Sequence, residues 1–164
     1  MNINNINVNK YPISQILDPE SKTIYEIPKY QREYIWGTKQ WEELFNDLME
    51  NGTGYFLGSI ICINTTQDTL NNPKFEVVDG QQRLTTLSLL LAALYVTLDS
   101  NRDSLDEDQQ SDILQLKRKL VIKKTQSEIR IVPQVQHKNH EDYMGLLADK
   151  KIIAPHQTPK FAGN

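Results

Sequence analysis

Apolar residues recur along this chain with two different periods, and the alternation of periods predicts its elements. Ile13, Ile16 and Leu17 suggest a short helix that stops near Asp18-Pro19. Thr23 to Ile27 reads as a strand ending at Pro28. Trp41, Leu44, Phe45 and Leu48 recur at helical spacing behind Gly37-Thr38, with Thr38 the expected N-cap and Glu42 and Glu43 in the first turn, where the helix dipole favours them. Asn51-Gly52-Thr53-Gly54 ends that helix. Tyr55 to Ile63 is aromatic and β-branched, which predicts a buried strand, with Gly58 marking a bulge or a close approach. The polar stretch Asn64 to Lys74 predicts a turn joining it as a hairpin to a strand over Phe75 to Val78.

A long apolar helical pattern then runs from Leu84 to Leu98. An acidic loop is expected over Asp99 to Asp108, and a helix over Asp112 to Lys124 with Ile113, Leu116 and Leu120 on one side. Ser127 to Pro133 predicts a strand and Asn139 to Lys150 a short helix. Residues 151–164 have little periodicity and are expected to be loosely held. Strands and helices mixed with hairpin-like spacing predict α+β architecture, with residues 1–150 as one domain.

With 164 residues, 38% hydrophobic, the chain can build one core, not a large one. The formal net charge of −3 gives no overall footprint for nucleic acid and leaves only local basic patches, such as the run from Lys117 to Lys124. That run is either a solvated face or a modest phosphate-binding strip. The single cysteine, Cys62, excludes an internal disulfide; it sits in an apolar run and reads as a small buried residue, not a nucleophile. There is no signal-peptide pattern, and the apolar run Leu87 to Leu94 is far short of a membrane span. A cytoplasmic protein without membrane contact is expected.

The densest chemistry lies between the Phe75–Val78 strand and the long helix, in Asp79-Gly80-Gln81-Gln82-Arg83-Leu84-Thr85-Thr86. A strand that turns directly into a helix leaves backbone N–H groups open at the helix start, where phosphate binds readily. Arg83 suits a bidentate phosphate clamp. Asp79 suits Mg²⁺, which in phosphate sites often takes only one or two carboxylates. Gln81 or Gln82 suits the orientation of an attacking water. Gly80 permits close approach of an anion. Thr85 and Thr86 add hydroxyls, although Thr85 would equally serve as a cap. The plain alternative is a turn with Asp79 capping the helix and Arg83 on the surface. The run lacks the Gly-Lys-Ser/Thr of a P-loop.

A second candidate is Pro28-Lys29-Tyr30-Gln31-Arg32-Glu33-Tyr34-Ile35-Trp36. If it is extended, Tyr30, Arg32, Tyr34 and Trp36 share one face, able to stack on a base and contact phosphate. Its alternative is an edge strand whose aromatics cover the core. A third is Gly58-Ser59, a pocket floor or a plain core strand. His137, His140 and His156 lack a full zinc ligand set and read as solvated or capping.

Three segments in order, Ile27-Pro28-x-Tyr30-Gln31-Arg32-x-Tyr34-x-Trp36, Tyr55-Phe56-Leu57-Gly58-Ser59-Ile60 and Val78-Asp79-Gly80-Gln81-Gln82-Arg83-Leu84-Thr85-Thr86-Leu87, resemble the N-terminal domain of GmrSD-type restriction endonucleases, a branch of the ParB/sulfiredoxin-like superfamily. The resemblance covers roughly residues 12–147. It implies a ParB-like α+β fold and a domain that binds and hydrolyses a nucleoside triphosphate at the Asp-Gly-Gln-Gln-Arg run. Gly80, Arg83, Thr85, Thr86, Tyr30, Gln31, Arg32, Gly58 and Ser59 would contact the nucleotide; Asp79, Gln81, Gln82 and Arg83 would be catalytic; Asp79 would hold Mg²⁺.

The resemblance further associates Tyr30, Gln31 and Arg32 with modified DNA, and implies a C-terminal helical region with an HNH nuclease as the cutting part, reached through a tail over residues 151–164. No His-Asn-His arrangement occurs in these residues, so DNA cleavage is not expected from this chain alone. The expectation is thus a nucleotide-binding, NTP-hydrolysing regulatory domain of a modification-dependent phage-defence system. Its rivals are a non-catalytic DNA-binding sensor, a ParB-like metal-dependent nuclease and a plain interaction domain. The leading expectation requires the Tyr-Gln-Arg and Asp-Gly-Gln-Gln-Arg motifs to converge.

Overall fold

A computed structural model of the chain describes residues 9–67, 70, 72–122, 128–134 and 138–155. Ten segments succeed one another: α1 (Ile13–Ile16), β1 (Ile24–Glu26), α2 (Thr38–Glu50), β2 (Ile61–Asn64), β3 (Lys74–Asp79), α3 (Gln81–Ser100), a 3-10 turn (Arg102–Ser104), α4 (Glu107–Leu120), β4 (Ile131–Val132) and α5 (Asn139–Asp149). The four strands form one mixed sheet in the order β2-β3-β1-β4. β2 and β3 are the antiparallel hairpin that the polar turn predicts, while β1 is parallel to both β3 and β4. The fold is therefore α+β.

The carboxyl ends of β1, β3 and β4 open on the same edge of the sheet, the edge where open sheets usually place their ligands. Helix α3 joins two apolar clusters. Its start packs Leu84 with Leu17, Ile27, Val77 and Ile131 against the sheet. Its second half packs Ala92 and Tyr95 with Ile113, Leu116 and Leu120 of α4 and Tyr143, Met144 and Leu147 of α5. A fully buried Leu or Ile contributes about 1.5–3 kcal/mol, so α3 is fixed at both ends. No helix among the described residues is long and apolar enough to cross a membrane.

Several boundaries differ from the expected ones, each for a physical reason. Tyr55–Ile63 is not a buried strand. Residues 55–60 are irregular, Phe56 is 70% exposed, and β2 begins only at Ile61 on the sheet edge. Gly58 adopts φ +104°, which a strand cannot continue through. The N-cap of α2 is Gly37, not Thr38, and its backbone N–H donates to Gln40 Oε1 at 3.0 Å. The acidic stretch 99–108 is largely ordered. Asp106 and Gln109 cap α4 reciprocally (2.8 and 3.1 Å), starting it five residues before the expected Asp112.

The expected strand over 127–133 shrinks to Ile131–Val132, with residues 123–127 outside the described set. Ile152 and Ile153, within the expected loose tail, are buried in the helical cluster; residues 156–164 lie outside the described set. Cys62 is half-buried, and burial pushes its thiol up to about 11, so it is held as a neutral thiol.

The basic face of α4 is used internally. Lys117 lies 5.6 Å over the Tyr95 ring, Lys119 Nζ donates to Leu17 O at 3.5 Å, and Arg118 pairs with Glu20 at 3.6 Å. Arg130, which the sequence did not single out, is fully buried. It donates to the carbonyls of Lys119 (3.1 Å), Thr23 (3.2 Å), Ser21 (2.8 Å) and Arg118 (3.1 Å). Two of these belong to the last turn of α4, whose unpaired carbonyls and dipole favour a cation.

Candidate functional site: the mouth of helix α3

The Asp79-Gly80 step makes the mouth. Gly80 is the N-cap of α3 at φ +84°, and an added Cβ would lie 2.8 Å from Ser59 O. Only glycine lets β3 turn this sharply so close to the 55–60 loop. The first intrahelical bond is Leu84 N to Gly80 O at 3.0 Å, which leaves the N–H groups of Gln81, Gln82 and Arg83 without a helical acceptor. Neither Asp79 nor Thr85 caps the helix: Asp79 makes no cap bond, and Thr85 sits a turn further in, buried. The Asp79 carboxylate is exposed, with no hydrogen bond or ion pair among the described residues.

The two motifs converge here. Gln31 Nε2 donates to Val78 O at 2.6 Å, and Gln31 Oε1 accepts from Gln81 Nε2 at 3.2 Å. Gln82, buried, clamps the 33–36 backbone: its Oε1 accepts from Ile35 N (2.8 Å) and Trp36 N (3.3 Å), and its Nε2 donates to Glu33 O (2.9 Å). Trp41 Nε1 donates to Tyr34 OH at 2.6 Å, and Tyr34 lies 2.8 Å from Thr86 Oγ1. Thr86 commits its only proton to Gln82 O at 2.8 Å, so Tyr34 donates to Thr86 and one chain of bonds links α2 to α3.

This clamping explains why Pro28–Trp36 is not an extended strand with one aromatic face. A turn closes at Gln31 N to Pro28 O (3.1 Å), and Gln82 holds the backbone beyond that turn. Tyr30 swings outward, 69% exposed, to donate to Glu76 at 2.5 Å, which pushes its phenol pKa up. Arg32 and Tyr34 turn the other way.

The arginines of the two motifs therefore flank the mouth from different sides. Arg32 and Tyr34 line a cleft of about 270 Å³ together with Gln81, Gln82 and Thr85. Arg83 lines a second cleft of about 340 Å³ with Gly58, Tyr55, Glu43 and Asp47. The Arg83 guanidinium lies flat on Gly58: a Cβ there would come within 2.6 Å of its Cζ and Nη1. Arg83 Nη1 also donates to Ser59 O at 3.3 Å. Gly58 is thus a close approach, as one of its two expected readings had it. Asp47 beside Tyr55 pushes that phenol up. Neither Arg32 nor Arg83 forms an ion pair within 4 Å among the described residues, so both keep donors to spare.

The first cleft has a far wall that sequence reasoning missed: Pro133 and Gln134 after β4, and Asn139 and Asp142 in the first turn of α5. His140 N donates to Gln134 O at 3.1 Å and ties the two together. The signal that would have found Gln134 is its place just past the carboxyl end of a parallel strand. Among the described residues no three of His, Cys, Asp and Glu come together as a metal cage; His137 and His156 lie outside that set.

No curated protein matches the chain. The family described as the GmrSD restriction endonuclease N-terminal domain matches residues 13–158, a span that holds the tyrosine-glutamine-arginine segment, the Gly58 loop and the mouth of α3; the chain belongs to that family.

Proposed function

We propose that this domain binds and hydrolyses a nucleoside triphosphate within a restriction system, in a ParB/sulfiredoxin-like architecture, and that the nucleotide governs cutting by another part of the full-length protein. The observation that carries this reading is the convergence at α3. Gln31 is bonded to both Val78 O and Gln81, while Arg32 and Arg83 stand without ion pairs among the described residues on the two flanks of a helix start. Phosphates would sit on the open N–H groups of Gln81, Gln82 and Arg83, with the two guanidiniums neutralising their charge. Gly58, Ser59 and Gly80 form the floor behind Arg83, and Thr85 reaches the same nucleotide from the first cleft.

Asp79, exposed and uncommitted beside the phosphate seat, suits a Mg²⁺ held largely by water and phosphate oxygens. That ion would neutralise charge on the transferring phosphoryl group. Gln81 keeps its Oε1 without a described partner and is the residue to orient the attacking water. Gln82 and Thr86, with their polar groups committed to the 33–36 backbone, Tyr34 and the helix, position the wall. Tyr30, the exposed member of the Tyr-Gln-Arg triplet that turns away from the first cleft, would be the residue to meet modified DNA.

The test is calorimetry with nucleoside triphosphates, with and without Mg²⁺, followed by phosphate release. Arg83→Ala and Arg32→Ala should each weaken binding about 10–100-fold, the value of a charge-assisted hydrogen bond. Unchanged binding and turnover in both would remove the reading. Salt-sensitive DNA binding without any phosphate release would favour the sensor instead.

A further inference from the structure

We infer that the first cleft selects the base of the nucleotide and that the base is guanine; this rests on the nucleotide reading above. The observation is Gln134. It is 3% exposed and lines the cleft, and its Nε2 donates to Lys29 O at 2.9 Å and also to Gln31 O. Two carbonyls on that side fix the amide orientation, because turning it over would set oxygen against oxygen. The Oε1 on the other side has no hydrogen-bond partner among the described residues. A buried acceptor left unsatisfied costs about 1–3 kcal/mol, which a ligand N–H placed against it recovers.

The rest of that wall has the same polarity. The Asp142 carboxylate offers acceptors. Asn139, three residues earlier on the same face of α5, offers both an acceptor and a donor. Ile27, Leu89, Pro133 and Leu146 add apolar surface to the same cleft. Guanine presents adjacent N1–H and N2–H₂ donors with an O6 acceptor beside them. Adenine and cytosine present one exocyclic amine, and uracil a single ring N–H. Two acceptors and one donor in the lining of one cleft therefore match guanine best. The triphosphate leads back past Arg32 to the helix start.

Gln134 also holds the 29–31 turn, so exposed Asp142 is the residue to change. Calorimetry with GTP, ITP, XTP, ATP, CTP and UTP on the wild-type chain should show GTP binding at least about tenfold tighter than ATP, CTP or UTP, with ITP, which lacks the 2-amino group, weaker than GTP. Asp142→Asn replaces one acceptor by a donor. It should lower GTP affinity about 10–100-fold and raise that of XTP, whose C2 carbonyl accepts from the new amide. Equal affinity across the bases, or an Asp142→Asn variant with unchanged preference, overturns the guanine assignment and leaves phosphate binding at the mouth intact. No binding of any triphosphate overturns both.

Discussion

Arg130 gives its guanidinium to four backbone carbonyls and meets no solvent, whereas Arg83 gives one 3.3 Å bond to the Ser59 carbonyl and stays half-buried at the mouth of α3. The glutamines divide in the same way. Gln82 has both ends of its amide bonded; Gln134 has its donor end used and its acceptor end orphaned among the described residues. Saturated groups hold segments together, here the stretch leading into β1 to the end of α4 and the 33–36 backbone to α3. A buried unsatisfied acceptor such as Gln134 Oε1 costs stability that a bound donor recovers, and a half-buried guanidinium keeps donors for an anion. The difference separates architecture from chemistry where residue type alone does not.

That contrast breaks if the saturated residues prove expendable. Arg130→Met should be the most damaging change, costing about 3–5 kcal/mol, because four backbone carbonyls lose a donor at once. Urea denaturation measures it, and a cost below about 1 kcal/mol would show that the carbonyls find other partners. Gln82→Leu should cost about 2–3 kcal/mol by freeing the 33–36 backbone, while Arg83→Ala stays within about 0.5 kcal/mol of wild type. The pair thus exchange places when stability is compared with nucleotide affinity.

The smallest effect is alkaline. Burial pushes Tyr143 up to about 12 from its ordinary 10, so its contribution is intact below pH 10 and is lost as pH rises from there through 12. Stability should be flat from pH 6 to 8 and about 0.4 kcal/mol lower at pH 10 from this residue. Tyr143→Phe, which also removes the 3.0 Å bond to Ser88, should flatten that part of the profile.

The sequence was informative where a pattern is local. The periodic helices, the hairpin from Asn64 to Lys74 and the sharp Asp79-Gly80 turn are all set by residues close together in the chain, and all are present. The nucleotide reading requires the two motifs to converge, and the structure brings them together through Gln31. Their arginines line two clefts rather than a shared one. Nothing in the string reveals that Gln82 closes on the backbone of 33–36, forty-six or more residues away, and so turns an expected strand into a clamped loop. Arg130 was equally illegible, because its partners come from Ser21, Thr23 and the last turn of α4, which only the sheet order gathers. The Asp106–Gln109 cap falls where a loop is expected, although a reciprocal cap needs only that spacing.

The bare backbone of Gly58 has one more consequence. Because the Arg83 guanidinium rests flat on it, with the Ser59 carbonyl at one edge, the cation is already oriented before any partner arrives. That contact narrows the rotamers open to a long flexible side chain, so an incoming anion has less of it to immobilise.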